Sequence, residues 1–463
     1  MLTLQSGIGS CGLTRRATLK AGFLGVAGLA LPDYLRAKAE PGGSHPPLAR
    51  SGQKSVILIW LDGGPSQLET FDPKPDAPAE FRGPFGVRKT RTPGVVVSEL
   101  MPNLAERFSK YSIIRSLHHD NGDHFAAAHW MTTGRFGSTS VSQAQKYPSV
   151  GSIVSKVRGT NKPGLPAYVG LPSAETVYLF PGYMGAAYLG GAYNPFDVDR
   201  ESKYLGAFGG TRVRSPKWLS NLGGTKEAVE NTVGKTSLLK QLDTMRRDID
   251  QSGIMTTMDK YQQQALELVM GSEARVAFDI DKEDPKSTDR YGPSPWGQYA
   301  MMARRLVEAG VTFVSVDMPH WDDHSSLVQS HAPKIRVVDK IVSALLDDLE
   351  DRGLLDSTVV CVMGEFGRTP RINTGQPGIP IPGRDHWGNA ISVLLAGGGI
   401  TPGVVVGKTN ERAEHPVERA LKPEALLATI YHQLGIDANE TFKDHSGRPV
   451  PIVDDPTPIK ELV

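Results

Sequence analysis

The sequence predicts an α/β fold: a central, mostly parallel sheet flanked by helices, with long loop insertions. Two observations predict it. Four short runs, Ser55–Leu61, Val311–Val316, Thr358–Met363 and Ala390–Ala396, are almost wholly apolar and rich in β-branched residues, the pattern of strands buried on both faces of a parallel sheet. A helix-periodic stretch from about Ile335 to Arg352 links the second of these runs to the third, with Val338, Ile341, Leu345, Leu346 and Leu349 near one face. Strand, helix, strand in that order is the signature of a doubly wound domain, whose ligands collect at the carboxyl ends of the strands.

In chain order, residues 1–39 read as an export leader. Thr14-Arg15-Arg16-Ala17-Thr18-Leu19-Lys20 supplies a twin-arginine pair, Ala21 to Leu31 is a weakly apolar run, and Ala37-Lys38-Ala39 gives the small residues a signal peptidase reads. The expected home of the mature protein is therefore periplasmic or extracellular, reached through the twin-arginine translocase. Beyond Ala39 no run approaches the roughly 20 apolar residues of a membrane span. Removing the leader's five basic residues and one acid from the chain's 51 and 50 leaves 46 and 49, a net charge of −3 without a polybasic stripe. Nucleic acid is thus not an expected partner. Cys11 leaves with the leader and Cys361 remains alone, so an internal disulfide is excluded in the mature chain.

Residues 40–463 are expected to form one domain with an insertion at about 174–295. Within it, 174–232 is rich in Gly, Tyr, Pro and Arg with little periodicity, a helical stretch covers about 237–278, and 281–295 reads as polar loop.

The acids and imidazoles fall at the strand ends. Asp62 follows the first run in Asp62-Gly63-Gly64-Pro65-Ser66. Asp317, His320, Asp322, Asp323 and His324 crowd the end of the second, Glu365 follows the third, and Asp385-His386 shortly precedes the fourth. If the strands are parallel neighbours, the first three groups share one rim and His386 can reach it. Carboxylates and imidazoles converging from four segments suit Zn²⁺ or Mn²⁺, and suit Mg²⁺ or Ca²⁺ if only the oxygens bind. Each piece also has a plainer reading: Asp62 as a turn former, Trp321-Asp-Asp-His324 as a solvated loop, Glu365 as a helix cap or a salt-bridge partner of Arg368. A second imidazole group, His118, His119, His124 and His129, lies around Asp123, which stands before an expected helix start. Asp123 as a helix cap with His129 in the core is the structural alternative there.

Leu61-Asp-Gly-Gly-Pro-Ser-Gln-Leu-Glu-Thr-Phe-Asp-Pro-Lys74, Trp321-Asp-Asp-His324, Gly364-Glu-Phe-Gly-Arg-Thr-Pro370, Gly383-Arg-Asp-His-Trp387 and Gly397-Gly-Gly399 together resemble a bacterial family. It is the twin-arginine-exported domain-of-unknown-function family "fifteen-oh-one", itself similar to the alkaline phosphatase and sulfatase superfamily. The resemblance implies an alkaline-phosphatase-like sheet carrying a divalent metal on Asp62, Asp322, His324, Glu365 and His386. Two positions depart from the superfamily pattern: Phe366 stands where a second-metal histidine belongs, and His124 stands where the nucleophilic Ser, Thr or Cys belongs. What remains implied is direct attack by metal-activated water on a phosphate or sulfate ester, with His124 as general acid or base. Arg368 or Arg384 is expected to hold the anionic group of a small-molecule or polysaccharide substrate. A non-catalytic relative that binds an anionic ligand or a protein partner is the competing reading.

Overall fold

In a computed structural model, residues 52–137, 145–174, 184–199, 213, 215–216 and 276–463 are described. The leader and nearly all of the helical stretch expected over 237–278 lie outside them.

Eight strands form the central sheet: β1 Ser55–Trp60, β2 Tyr111–Leu117, β3 Tyr168–Leu171, β4 Phe196–Asp197, β5 Phe313–Asp317, β6 Thr358–Met363, β7 Ile391–Ala396 and β8 Val405–Val406. Their spatial order is β8-β2-β7-β6-β1-β5-β3-β4. β1 pairs in parallel with both β5 and β6, whereas β7 runs antiparallel to both of its neighbours. The expected mostly parallel sheet is therefore present, with the fourth apolar run as its reversed member.

Side chains alternate across the sheet, as the two-residue strand repeat requires. Ile57 and Ile59 of β1 enter one core and Val56, Leu58 and Trp60 the other. The first core is covered by helices α3 (Pro295–Ala309) and α4 (Ala332–Asp351), the second by α1 (His124–Thr133), α2 (Val150–Val157) and α5 (Pro423–Gln433). Burial of apolar residues on both faces of every central strand explains why their sequences are apolar runs rather than alternations.

One expectation fails. The stretch 281–295 is not a loop throughout: Pro285–Tyr291 is helical. Asp284 caps it by accepting from Lys286 N, Pro285 occupies its first turn, and buried Tyr291 donates to Asp348 on α4 at 3.0 Å. Capping and one tertiary anchor outweigh a polar composition with little periodicity. Among the described residues, no helix is long and apolar enough to cross a membrane.

Candidate metal centre

Register brings the acids together. Trp60 lies opposite both Asp317 and Met363, so β1, β5 and β6 end level with one another. Asp62, Asp317 and Glu365 consequently sit on one rim. Because β7 runs the other way, its first residue lies at the rim where its neighbours end, and the segment just before it delivers His386 there. A two-residue ribbon, with His386 opposite Arg368 and Trp387 opposite Gly367, fixes that segment.

The loop carrying Asp322 and His324 is held in an unusual conformation. His320 and Ser326, on either side, both have left-handed backbones, with φ of 74° and 61°. Such strain in non-glycine residues persists only where the surroundings enforce it. Part of that enforcement is the Gly63–Gly64 turn. Both glycines have positive φ, and a Cβ on Gly63 would lie 2.4 Å from the Asp322 nitrogen. The turn and the Asp322 loop touch backbone to backbone, which only glycine permits.

Three imidazoles then converge on Asp322. His386 Nε2 is 2.8 Å and His324 Nε2 2.9 Å from its Oδ1. His124 Nε2 lies 3.4 Å from its Oδ2, too poorly aligned for a hydrogen bond, and is buried without a partner. On all three rings the other nitrogen meets an acceptor: Gly122 O at 2.8 Å for His386, Asp385 Oδ1 at 2.7 Å for His324, Glu365 Oε1 at 2.7 Å for His124. Oxygen atoms thus face both nitrogens of each ring, and a neutral imidazole, with a single N–H, can satisfy only one of them and turns its other lone pair toward an acceptor. That arrangement is unfavourable unless a cation lies among them. A proton or a divalent metal ion fits, and the outward hydrogen bonds are those that orient metal-ligating histidines. His124, Asp322 and His386 offer ligand atoms that all lie within 4.8 Å of one another.

Electrostatics agree. Burial works against the charged form of His124, yet the adjacent Asp322 carboxylate and the hydrogen bond to Glu365 outweigh this and raise its pKa to about 9. Hydrogen bonding to Asp322 raises His324, while burial lowers His386. Burial opposes ionisation of Asp322, but the three imidazoles and Arg368 together hold it far below the carboxylate range. A proton on this cluster would therefore sit where a cation would, and would compete with one.

Of the other expected residues, Asp62 is buried, and its carbonyl accepts from Trp321 N at 2.9 Å. Glu365 also accepts from Gly63 N at 2.9 Å, and its second oxygen is buried without a partner. Arg368, 1% exposed, donates to the carbonyls of Gly63, Gly64 and Trp321 and to Asp322 Oδ1. Arg384, also 1% exposed, points away from the cluster and pairs with Glu69 at 2.7 Å. Phe366 stacks on His386 at 4.3 Å and tilts against His124 at 4.9 Å. The capping alternative holds at the same time: Asp123 accepts from Ala126 N at 3.0 Å and His129 is core, so one helix start both caps itself and aims His124.

Sequence reasoning missed three contributors. His331 and Lys334 hold Asp323 at 3.0 and 2.7 Å, drawing it out of the cluster while fixing the loop. Asn373 donates to the His324 carbonyl and to Asp385. None carries a motif; only the fold brings them near.

Solved structures similar to the chain include a sulfatase from Pseudoalteromonas sp., at 13% identity and a TM-score of 0.37, covering 90% of this chain and 72% of that one. They also include a protein in the alkaline phosphatase superfamily from Vibrio parahaemolyticus, at 12% identity and 0.37, with 83% and 67% covered. A phosphonate monoester hydrolase from Silicibacter pomeroyi matches at 11% and 0.33, with 84% and 74% covered. No curated protein matches the sequence. Residues 53–463 match the family described as "Protein of unknown function (DUF1501)", and the chain belongs to that family.

Proposed function

We propose that the mature protein is an exported, metal-dependent hydrolase of phosphate or sulfate esters, acting on an anionic small molecule or polysaccharide. The observation that carries this reading is the set of three imidazoles, each fixed at Nδ1 by an oxygen and each turning Nε2 toward Asp322. Asp322, His386, His324 and His124 would hold an ion of the Zn²⁺ or Mn²⁺ kind, with buried Asp62 and Glu365 beside them. Such an ion, when bound, polarises a phosphoryl or sulfuryl oxygen and acidifies water. In this reading His124 is a holding group, its Nδ1 fixed by Glu365 and its unpartnered Nε2 turned toward Asp322. Arg368 keeps Asp322 ionised and ties three carbonyls of the rim together; Arg384 braces Glu69. The twin-arginine leader supports a place outside the cytoplasm.

A second reading, a non-catalytic protein that binds an anionic ligand or partner, has an observation of its own. Among the described residues, no Ser, Thr or Cys side chain hydrogen-bonds to Asp322, His124, His324, His386 or Glu365. Metal content separates the readings first. Purified mature protein should hold about one equivalent of Zn²⁺ or Mn²⁺, lost in an Asp322→Ala/His386→Ala double variant. Absence of metal from the wild type would sink the metallohydrolase. Turnover of any nitrophenyl phosphate, phosphodiester or sulfate supports the enzyme, and bound metal with none supports the binding protein.

A further inference from the structure

We propose that Asn373 is a positioning residue that sets His324 and Asp385 for the metal centre and ties loop 374–382 to it; this rests on the metal-binding reading above. One carboxamide makes all four connections it can. Its Oδ1 accepts from Gly375 N at 3.0 Å and Gly383 N at 2.9 Å, clasping both ends of the loop. Its Nδ2 donates to the His324 carbonyl at 3.0 Å and to Asp385 Oδ2 at 3.2 Å. An amide has two acceptor lone pairs and two donor hydrogens, so its capacity is filled.

The donor arm matters because it leads on to the cluster. Asp385 gives its other oxygen to His324 Nδ1 at 2.7 Å, and His324 Nε2 lies 2.9 Å from Asp322 Oδ1. Asn373 therefore grips the imidazole at two points, through the backbone that carries it and through the carboxylate that orients it. Elsewhere the grip is weak. The Asp385 side chain is 51% exposed and that of His324 25%, so water competes for both. His386 and His124, by contrast, are oriented by partners inside the fold, Gly122 O and buried Glu365. Of the three imidazoles, His324 is the one whose orientation depends on a surface carboxylate, and Asn373 is what keeps that carboxylate in place.

The acceptor arm adds the loop. Residues 376–382 are exposed, and the loop leans back on the site through Pro382 O, which accepts from Leu327 N at 3.1 Å. A displacement of the loop reaches His324 through the same amide.

Oriented partners of metal-ligating histidines typically contribute 10–100-fold in metal affinity. Zn²⁺ affinity measured against a chromophoric chelator should fall by roughly that factor in Asn373→Ala, with the metal-free melting temperature nearly unchanged. Asn373→Leu, close in volume and also uncharged, repeats the test if the alanine variant does not fold. If Asn373 acts through His324, its replacement in a His324→Ala background adds almost nothing, whereas a purely structural role gives additive losses. Wild-type affinity in Asn373→Ala, or additivity in the double variant, overturns the inference while leaving the metal centre standing. A wild type that binds no Zn²⁺ removes the functional reading and this inference with it.

Discussion

Asp322 is the residue on which the rim turns: three imidazoles and one guanidinium face a single carboxylate that is itself only partly covered. Its backbone is placed by Gly63, whose missing Cβ leaves room for the Asp322 nitrogen. Gly63→Ala should therefore act on the site without touching a ligand. An alanine there meets both a positive φ of 110° and a backbone overlap, and overpacking of this kind costs about 1–3 kcal/mol. Urea unfolding of the metal-free variant gives the loss directly, and Zn²⁺ affinity should drop with it; an unchanged midpoint would show that the two loops are not in register as described. The Asp-Gly-Gly sequence reads equally as a turn or as a ligand position. The closeness of this turn to Asp322 could not be read, since Asp322 lies far along the chain.

At the scale of elements, helix α1 begins with a cap and a site residue side by side. Asp123 satisfies Ala126 N, and His124, the next residue, points into the cluster. Asp123→Ala removes the cap at a cost of about 1 kcal/mol. Because the freed turn is the one holding His124, metal affinity should fall alongside stability, whereas Ser149→Ala, the equivalent change on α2, should lower stability alone. Equal affinities in the two variants would separate the cap from the site. The sequence predicted the buried strands well because full burial demands unbroken apolar runs. It missed β2, where Arg115 interrupts the pattern; that side chain folds back to the Phe71 and Val96 carbonyls at 2.8 and 2.6 Å. Helix α3 was missed too, although Ser294 caps it and Pro295 opens it. The reversed direction of β7 was also illegible, because a strand buried on both faces reads alike whichever way it runs.

Across the whole molecule, two further imidazoles are fixed neutral inside the fold. His119 Nε2 donates to Glu365 O at 2.7 Å and its Nδ1 accepts from Asn121 N at 3.2 Å. His129 Nδ1 donates to Arg135 O at 2.8 Å and its Nε2 accepts from Tyr147 N at 3.4 Å. Protonation of either would set a donor against a backbone N–H, and burial lowers both pKa values to about 4. Each folded value lies below the ordinary 6.5 of the unfolded chain, so the unfolded state binds more protons and stability drains away as pH falls from about 6.5 toward 4. Buried His331 acts in the same direction, whereas Asp317, raised well above the usual range by burial and then by Asp62 and Glu365, acts in the opposite one. His124, raised to about 9, stays charged in the folded state across this range while the unfolded imidazole charges through 6.5, so it too acts in the opposite direction. The contribution of the two imidazoles is isolated by comparison with His119→Gln and His129→Gln. Between pH 7 and 4.5 the wild type should lose about 2 kcal/mol more than each variant for the imidazole removed, measured by urea unfolding with chelator present. Identical pH slopes in wild type and both variants would mean that neither ring is held neutral, and that acid unfolding of this fold starts elsewhere.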